Sequence, residues 1–287
     1  MIPKANIREW RDYAPWLFDE QVEQDLILSR IIVEIFSVPE LASGFAFRGG
    51  TALQKIYFDK KFRYSEDLDL VQIRAEAIGD LVNKMRDKLD RWLGEPSWKQ
   101  NDGRFTLYYK FLSETEPPIP MKIKIEINTR EHFSVMGIIK KTLSVKNSWF
   151  SGDTQVSTYQ LEELLGTKLR ALYQRKKGRD VLDLGACLSS YVLNTDKILE
   201  CFNQYILFVG SKVSRAQFEK NLYEKCLDEN FLSDMDALLP EDSVFKGSMK
   251  KFIGKIHNDL VLKLPGEAWR GLPKDFFENL VIYKELA

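Results

Sequence analysis

The segment MKIKIEIN, from Met121 to Asn128, most constrains what this chain can fold into. Apolar and polar residues alternate there without exception, a period typical of a β-strand with one buried face. The alternation places the apolar residues on the buried face and Lys122, Lys124, Glu126 and Asn128 together on the other face. The chain therefore needs a sheet that has one covered and one polar face.

The 287 residues favour two domains, and a hydrophobic content of 44% supplies packed cores. Periodicity predicts helices over residues 19–36, 51–58 and 76–93. It predicts strands over 45–48, 68–73, 105–111 and 121–128, with two or three more in 134–159. From residue 160 the pattern is helical. We expect an α+β fold: a domain at 1–159 with a mixed β-sheet flanked by helices, then an all-helical domain at 160–287.

Composition excludes several classes of protein. Lys plus Arg equals Asp plus Glu at 42 each, which argues against a protein that coats nucleic acid but allows a local basic groove. The three cysteines match neither a zinc-ligand spacing nor a disulfide scaffold. There is no signal-peptide pattern and no apolar run of about 18 residues. We therefore expect a cytoplasmic protein with no membrane partner.

A second strand, Leu68–Ile73, begins within the run DLDL. Asp67 and Asp69 are two residues apart and project to the same face, while Leu68 points into the core. If this strand neighbours MKIKIEIN, Glu126 converges on the two aspartates. Three carboxylates repel one another unless a cation lies between them, and Mg²⁺ (or Mn²⁺) prefers such oxygen ligands.

The turn Gly49-Gly50-Thr51 precedes the aspartates and is predicted to open a helix that Thr51 caps. Glycines let a backbone approach a phosphate closely, and a helix amino terminus favours an anion. Each element also has a simpler interpretation. The glycines could form an ordinary turn, the aspartates a solvated strand edge, and Glu126 a salt bridge with Lys122 or Lys124. The order and spacing of all three favour a nucleotide site.

The segment RGGTALQKIY…FRYSEDLDL resembles the nucleotidyltransferase signature of the polymerase-beta-like superfamily. It is more similar to the AbiEii/AbiGii toxins of bacterial type IV toxin–antitoxin systems, which include the MenT-like toxins. That family has an Arg-x-Ser-x-Asp-x-Asp run, matched by Arg63, Ser65, Asp67 and Asp69. The resemblance implies that Arg63 and Ser65 belong to the nucleotide site.

A second family block is a helix carrying Lys, followed by Arg-Asp-x-x-Asp. It is matched by Lys168, Arg179, Asp180 and Asp183. Lys168 and Arg175 share a helix face, and Lys168 could reach triphosphate oxygens or the leaving pyrophosphate. The alternative is a solvated basic helix face. Asp180 follows Gly178 and suits a helix N-cap, so we favour Asp183 as the catalytic member of the pair.

The resemblance implies a toxin that transfers NMP from an NTP to an acceptor, with an antitoxin encoded nearby. For MenT-like members the acceptor is the 3′ end of tRNA. Asp67 and Asp69 would hold the metal, Glu126 would help to activate the attacking hydroxyl, and Lys168 would neutralise charge on the leaving group. Alternatives are a protein or small-molecule acceptor, a DxD sugar-nucleotide glycosyltransferase, and a non-catalytic nucleotide-binding module.

Overall fold

The computed structural model describes the backbone of residues 2–282 and the side chains of residues 2–236 and 238–280. The chain divides into two compact units, Met1–Gln160 and Leu161–Ala287. None of the described helices combines the length and apolar character that crossing a bilayer requires.

The N-terminal unit is built on a mixed sheet. In the described part of the chain its strands are Phe45–Arg48 (β1), Asp67–Gln72 (β2), Ser97–Asn101 (β3), Arg104–Leu112 (β4), Pro120–Asn128 (β5), Ile138–Lys146 (β6) and Ser151–Tyr159 (β7). Their order is β3-β4-β5-β2-β1-β7-β6. The pairs β2–β5 and β1–β7 are parallel, and the remaining pairs are antiparallel. The predicted α+β class and mixed sheet are confirmed.

One face of this sheet is the core. Phe47, Leu70 and Ile127 lie on it as register partners across three strands, and all three are buried. The helices of this unit are Lys4–Trp10 (α1), Asp19–Phe36 (α2), Pro39–Gly44 (α3), Gly49–Ala52 (α4) and Gly79–Leu93 (α5). Apolar residues of α2 and α5 join the same hydrophobic cluster, so these helices cover the core face. The polar residues of the alternating strands lie on the face of the sheet opposite the core.

Three local predictions were wrong or incomplete. The helix predicted to begin with Thr51 as its cap begins at Gly49, with Arg48 as the N-cap, and continues as a π-helical turn over Leu53–Tyr57. The strand β3 was missed because each of its residues is exposed, so no apolar alternation marks it. The short helices α1 and α3 were also missed.

The described part of the C-terminal unit is helical, as predicted. Its helices are Leu161–Gln174 (α6), Gly178–Ser190 (α7), Thr195–Phe208 (α8), Arg215–Cys226 (α9), Glu229–Ser233 (α10), Met249–Asp259 (α11) and Phe276–Ile282 (α12), with 3₁₀ turns at Asp236–Leu238 and Val261–Lys263. The N-cap of α7 is Lys177 and not Asp180, which lies in the first helical turn and is fully buried.

Candidate active site

The predicted carboxylates lie on neighbouring strands. Strands β2 and β5 pair in parallel, with Asp69 opposite Glu126 and Asp67 opposite Lys124. Asp67, Asp69 and Glu126 are half-buried, whereas the intervening Leu68 is fully buried. The alternation that fills the core therefore also brings the three acids to one face, as the sequence predicted.

Two cationic side chains contact these acids. The Lys124 Nζ lies 3.0 Å from the Glu126 Oε2 and 3.5 Å from the Asp67 Oδ2. The Arg104 Nε lies 3.2 Å from the Glu126 Oε1. Partial burial would lower the pKa of Lys124, but its hydrogen bond to Glu126 and the three nearby carboxylates raise it overall. The alternative salt bridge between Glu126 and Lys124 is therefore present, and the same lysine also reaches across to Asp67.

The glycine turn lies directly against the second aspartate. Gly49 has a φ of +84°, in the region that favours glycine, and follows Arg48, the register partner of Asp69. A Cβ atom added to Gly49 would lie 2.8 Å from the Asp69 Cγ and closer still to the Oδ2. The side chain of Arg48 pairs with Glu131, which fixes the end of β1. Glycine at this position allows the turn and the carboxylate to meet.

Thr51 connects the turn to β2 through its side chain. Its hydroxyl donates a hydrogen bond to the backbone carbonyl of Asp67, and the Ser65 hydroxyl lies 2.7 Å from it. Thr51 is only 1% exposed. Its observed contacts therefore position the aspartate strand, and a role for Thr51 and Ser65 in nucleotide binding stays a prediction.

Two further buried cations hold this region in place. Lys55, in the π-helical turn, forms a buried ion pair with Asp25 and donates a hydrogen bond to the Ser29 hydroxyl at 2.8 Å. Burial lowers the pKa of Lys55 despite that partner. Arg63 is 2% exposed and donates to the Tyr64 carbonyl at 2.8 Å. The Lys55–Asp25 pair joins the segment after the glycine turn to α2, an anchor that sequence analysis missed.

The second block forms a charge cluster in the C-terminal unit. The Lys168 Nζ lies 2.8 Å from the Asp183 Oδ2 and 3.4 Å from the Asp180 Oδ1, and both aspartates are fully buried. Arg175 makes a two-pronged contact with Asp180, at 2.7 and 2.8 Å. The alternative of a solvated basic face does not hold for Lys168, which is 6% exposed.

Two cations compensate the two buried carboxylates of this cluster. Burial raises the pKa of Asp180, but the charge of Lys168 and the hydrogen bonds from Arg175 lower it below its usual range overall. The role of Lys168 on a leaving group, and the catalytic role of Asp183, stay predictions. Of these side chains Arg175 is the one with substantial solvent access, at 45%.

The residues on the polar face suit a hard divalent cation. Two carboxylates from β2 and one from β5 supply only oxygen donors, and Lys124 already lies between two of them. As the side chains stand, no group of three His, Cys, Asp or Glu residues within the described positions is arranged around a metal ion. A metal would therefore need the Lys124 ammonium to move aside.

With this geometry established, comparison with known proteins decides the family. The model of the nucleotidyl transferase AbiEii toxin, of type IV toxin–antitoxin systems, matches residues 30–252. The chain belongs to the AbiEii toxin family. It is thus a nucleotidyltransferase toxin with an antitoxin partner, and the sugar-transfer and non-catalytic alternatives are set aside.

Solved structures agree on the fold of this AbiEii toxin. MenT4, a nucleotidyltransferase toxin from Mycobacterium tuberculosis H37Rv, has a TM-score of 0.60 at 11% identity, covering 99% of this chain and 95% of MenT4. JHP933 from Helicobacter pylori has a TM-score of 0.54 at 17% identity, covering 85% and 95% of the two chains. A search of curated proteins gave no significant match.

Proposed function

We propose that this AbiEii toxin transfers NMP from an NTP to the 3′ end of tRNA in a Mg²⁺-dependent reaction, which would block translation in the cytoplasm. The observation that carries the proposal is the meeting of Asp67, Asp69 and Glu126 on one face, with the turn at Gly49 against Asp69. The acceptor is taken from the family resemblance. A neutral chain also fits a local contact with one RNA end better than a long electrostatic track.

In the proposed reaction the acceptor hydroxyl oxygen attacks the α-phosphorus. The new P–O bond forms as the bond from the α-phosphorus to the bridging oxygen breaks, and pyrophosphate leaves. Glu126 accepts the hydroxyl proton, and Arg104 holds its carboxylate in place. The turn at Gly49–Thr51 faces the β- and γ-phosphates with backbone N–H groups.

Asp67, Asp69 and Glu126 are the proposed metal ligands. A bound Mg²⁺ would neutralise charge on the phosphates and align them for displacement. Lys124 would then be able to turn from Asp67 toward a phosphate oxygen, because its four-carbon stem is flexible.

Incubation of the protein with each α-labelled NTP, Mg²⁺ and total tRNA tests the proposal. Asp67→Asn should lower the rate of labelling by about 100-fold or more, because a lost metal ligand removes several kcal/mol of transition-state stabilisation. Glu66→Gln changes the adjacent, exposed carboxylate and is the matched control. Full activity in Asp67→Asn would show that the metal assignment is wrong. Label on protein and not on RNA would refute the acceptor alone.

A further inference from the structure

The polar face of the N-terminal sheet continues beyond the carboxylates. Strand register sets its residues in rows, and the members of each row face the same way. The first row is Asp69, Glu126, Thr106 and Lys99; the second is Asp67, Lys124, Tyr108 and Ser97; the third is Lys122 and Lys110. Each row runs outward from β2 or β5 toward the sheet edge.

This outer part of the face is basic. We call it the basic platform, and it consists of Lys99, Arg104, Tyr108, Lys110 and Lys122. Its four cations are exposed and Tyr108 is half-buried. Among the outward positions of β3, β4 and β5, all of them described, Glu126 is the one acidic residue. A positive field thus lies beside the catalytic carboxylates although the whole chain is neutral.

The platform also carries an aromatic ring between its cations. The Lys122 Nζ lies 5.5 Å from the centroid of the Tyr108 ring, within the range of a cation–π contact. Strands lie ~4.8 Å apart, so Tyr108 is about 10 Å from Asp67 across the sheet. A short single-stranded segment whose end lies at the carboxylates would pass over this ring.

We propose that the basic platform binds the single-stranded 3′ segment of the RNA acceptor, an inference that rests on the proposed function. Cations spaced along a strand face contact successive phosphates, and an aromatic ring among them stacks on a base whatever its identity. An acidic protein surface would satisfy the lysines but would not offer the Tyr108 ring a base between successive negative charges. The combination of charge and ring therefore favours RNA.

The test measures RNA binding without chemistry. Fluorescence anisotropy follows a labelled single-stranded RNA, and unlabelled tRNA as competitor, over a range of KCl concentrations. The variants are Lys99→Glu, Lys110→Glu and Tyr108→Leu in the full chain. Lys88→Glu is the matched control, because Lys88 is also exposed but lies on α5, which covers the other face of the sheet.

Each lysine reversal should weaken RNA binding about 3- to 10-fold, and the slope of log affinity against log salt should fall by roughly 0.7 for each lost phosphate contact. Tyr108→Leu should weaken binding about 10-fold with no change in that slope. Lys88→Glu should bind as the wild type does. Equal thermal midpoints would show that the variants are folded.

The inference is overturned if the platform variants bind RNA as tightly as Lys88→Glu, or if the wild type binds an acidic peptide but no RNA. Platform-dependent binding by a protein that labels no RNA would support the platform and refute the proposed function. Labelling of tRNA with an unchanged KM for tRNA in Lys99→Glu and Lys110→Glu would support the proposed function and refute the platform.

Discussion

Gly49→Ala should separate backbone strain from damage to the site. Alanine at a φ of +84° costs about 1–2 kcal/mol of folding free energy. Its Cβ would lie 2.8 Å from the Asp69 Cγ, so the carboxylate must retreat by about 1 Å to restore ordinary contact. A displacement of that size at a reacting centre lowers the rate by about 100-fold. We therefore expect modest destabilisation and a large loss of transfer.

Gly94→Ala is the matched control for this substitution. Gly94 has a φ of +79°, and a Cβ there would meet no atom within 4 Å. It should show a similar loss of stability in urea unfolding and a wild-type rate of NMP transfer, measured with labelled NTP under saturating substrate. If Gly49→Ala transfers at the wild-type rate, or if Gly94→Ala loses as much activity, the close approach of the turn to Asp69 has no catalytic role.

Three further substitutions test the charged groups. Without Mg²⁺, Lys124→Met should lower the thermal midpoint by a few degrees, since the carboxylates then face one another with no cation between them. Added Mg²⁺ should raise the midpoint of the variant more than that of the wild type, and equal rises would refute the bridging role of Lys124. Asp180→Asn leaves Lys168 with one carboxylate and should cost about 3–5 kcal/mol in urea unfolding. The folded pKa of Asp180 is depressed, so its contribution to folding stability is present above about pH 4 and is lost as pH falls through the folded pKa. The variant should therefore lose less stability in acid than the wild type, and an equal loss would contradict this. Burial raises the pKa of Glu23 to about 7, so the folded state loses stability as pH rises from the unfolded-state pKa toward 7. Glu23→Gln should flatten this pH dependence of stability and should be more stable than the wild type by up to about 3 kcal/mol at pH 8. An unchanged pH dependence in the variant would show that Glu23 is not its source.

The sheet and the carboxylate face could be predicted because both follow from one local rule. Alternation in β5 and in the run DLDL sets which side chains share a face. The convergence of Glu126 on Asp67 and Asp69 needed only that β2 and β5 be neighbours, which the structure confirms.

The remaining features depend on contacts between distant parts of the chain. Lys55 and Asp25 are far apart in sequence, and nothing local marks them as a buried pair. The hydroxyl of Thr51 was predicted to cap a helix, but a backbone carbonyl on β2 accepts its hydrogen bond. The burial of Lys168 requires two aspartates on the next helix, which a pattern of basic residues alone does not show.

The central place of β2, between β5 and β1, bears on how this protein tolerates change. Inserting or deleting one residue between Asp67 and Asp69 would put the two aspartates on opposite faces of the sheet, so that one of them enters the hydrophobic layer. Catalysis and folding would then fail together, because the same two-residue period serves both. Length variation should therefore be confined to the connecting loops, and β2 should not accept indels.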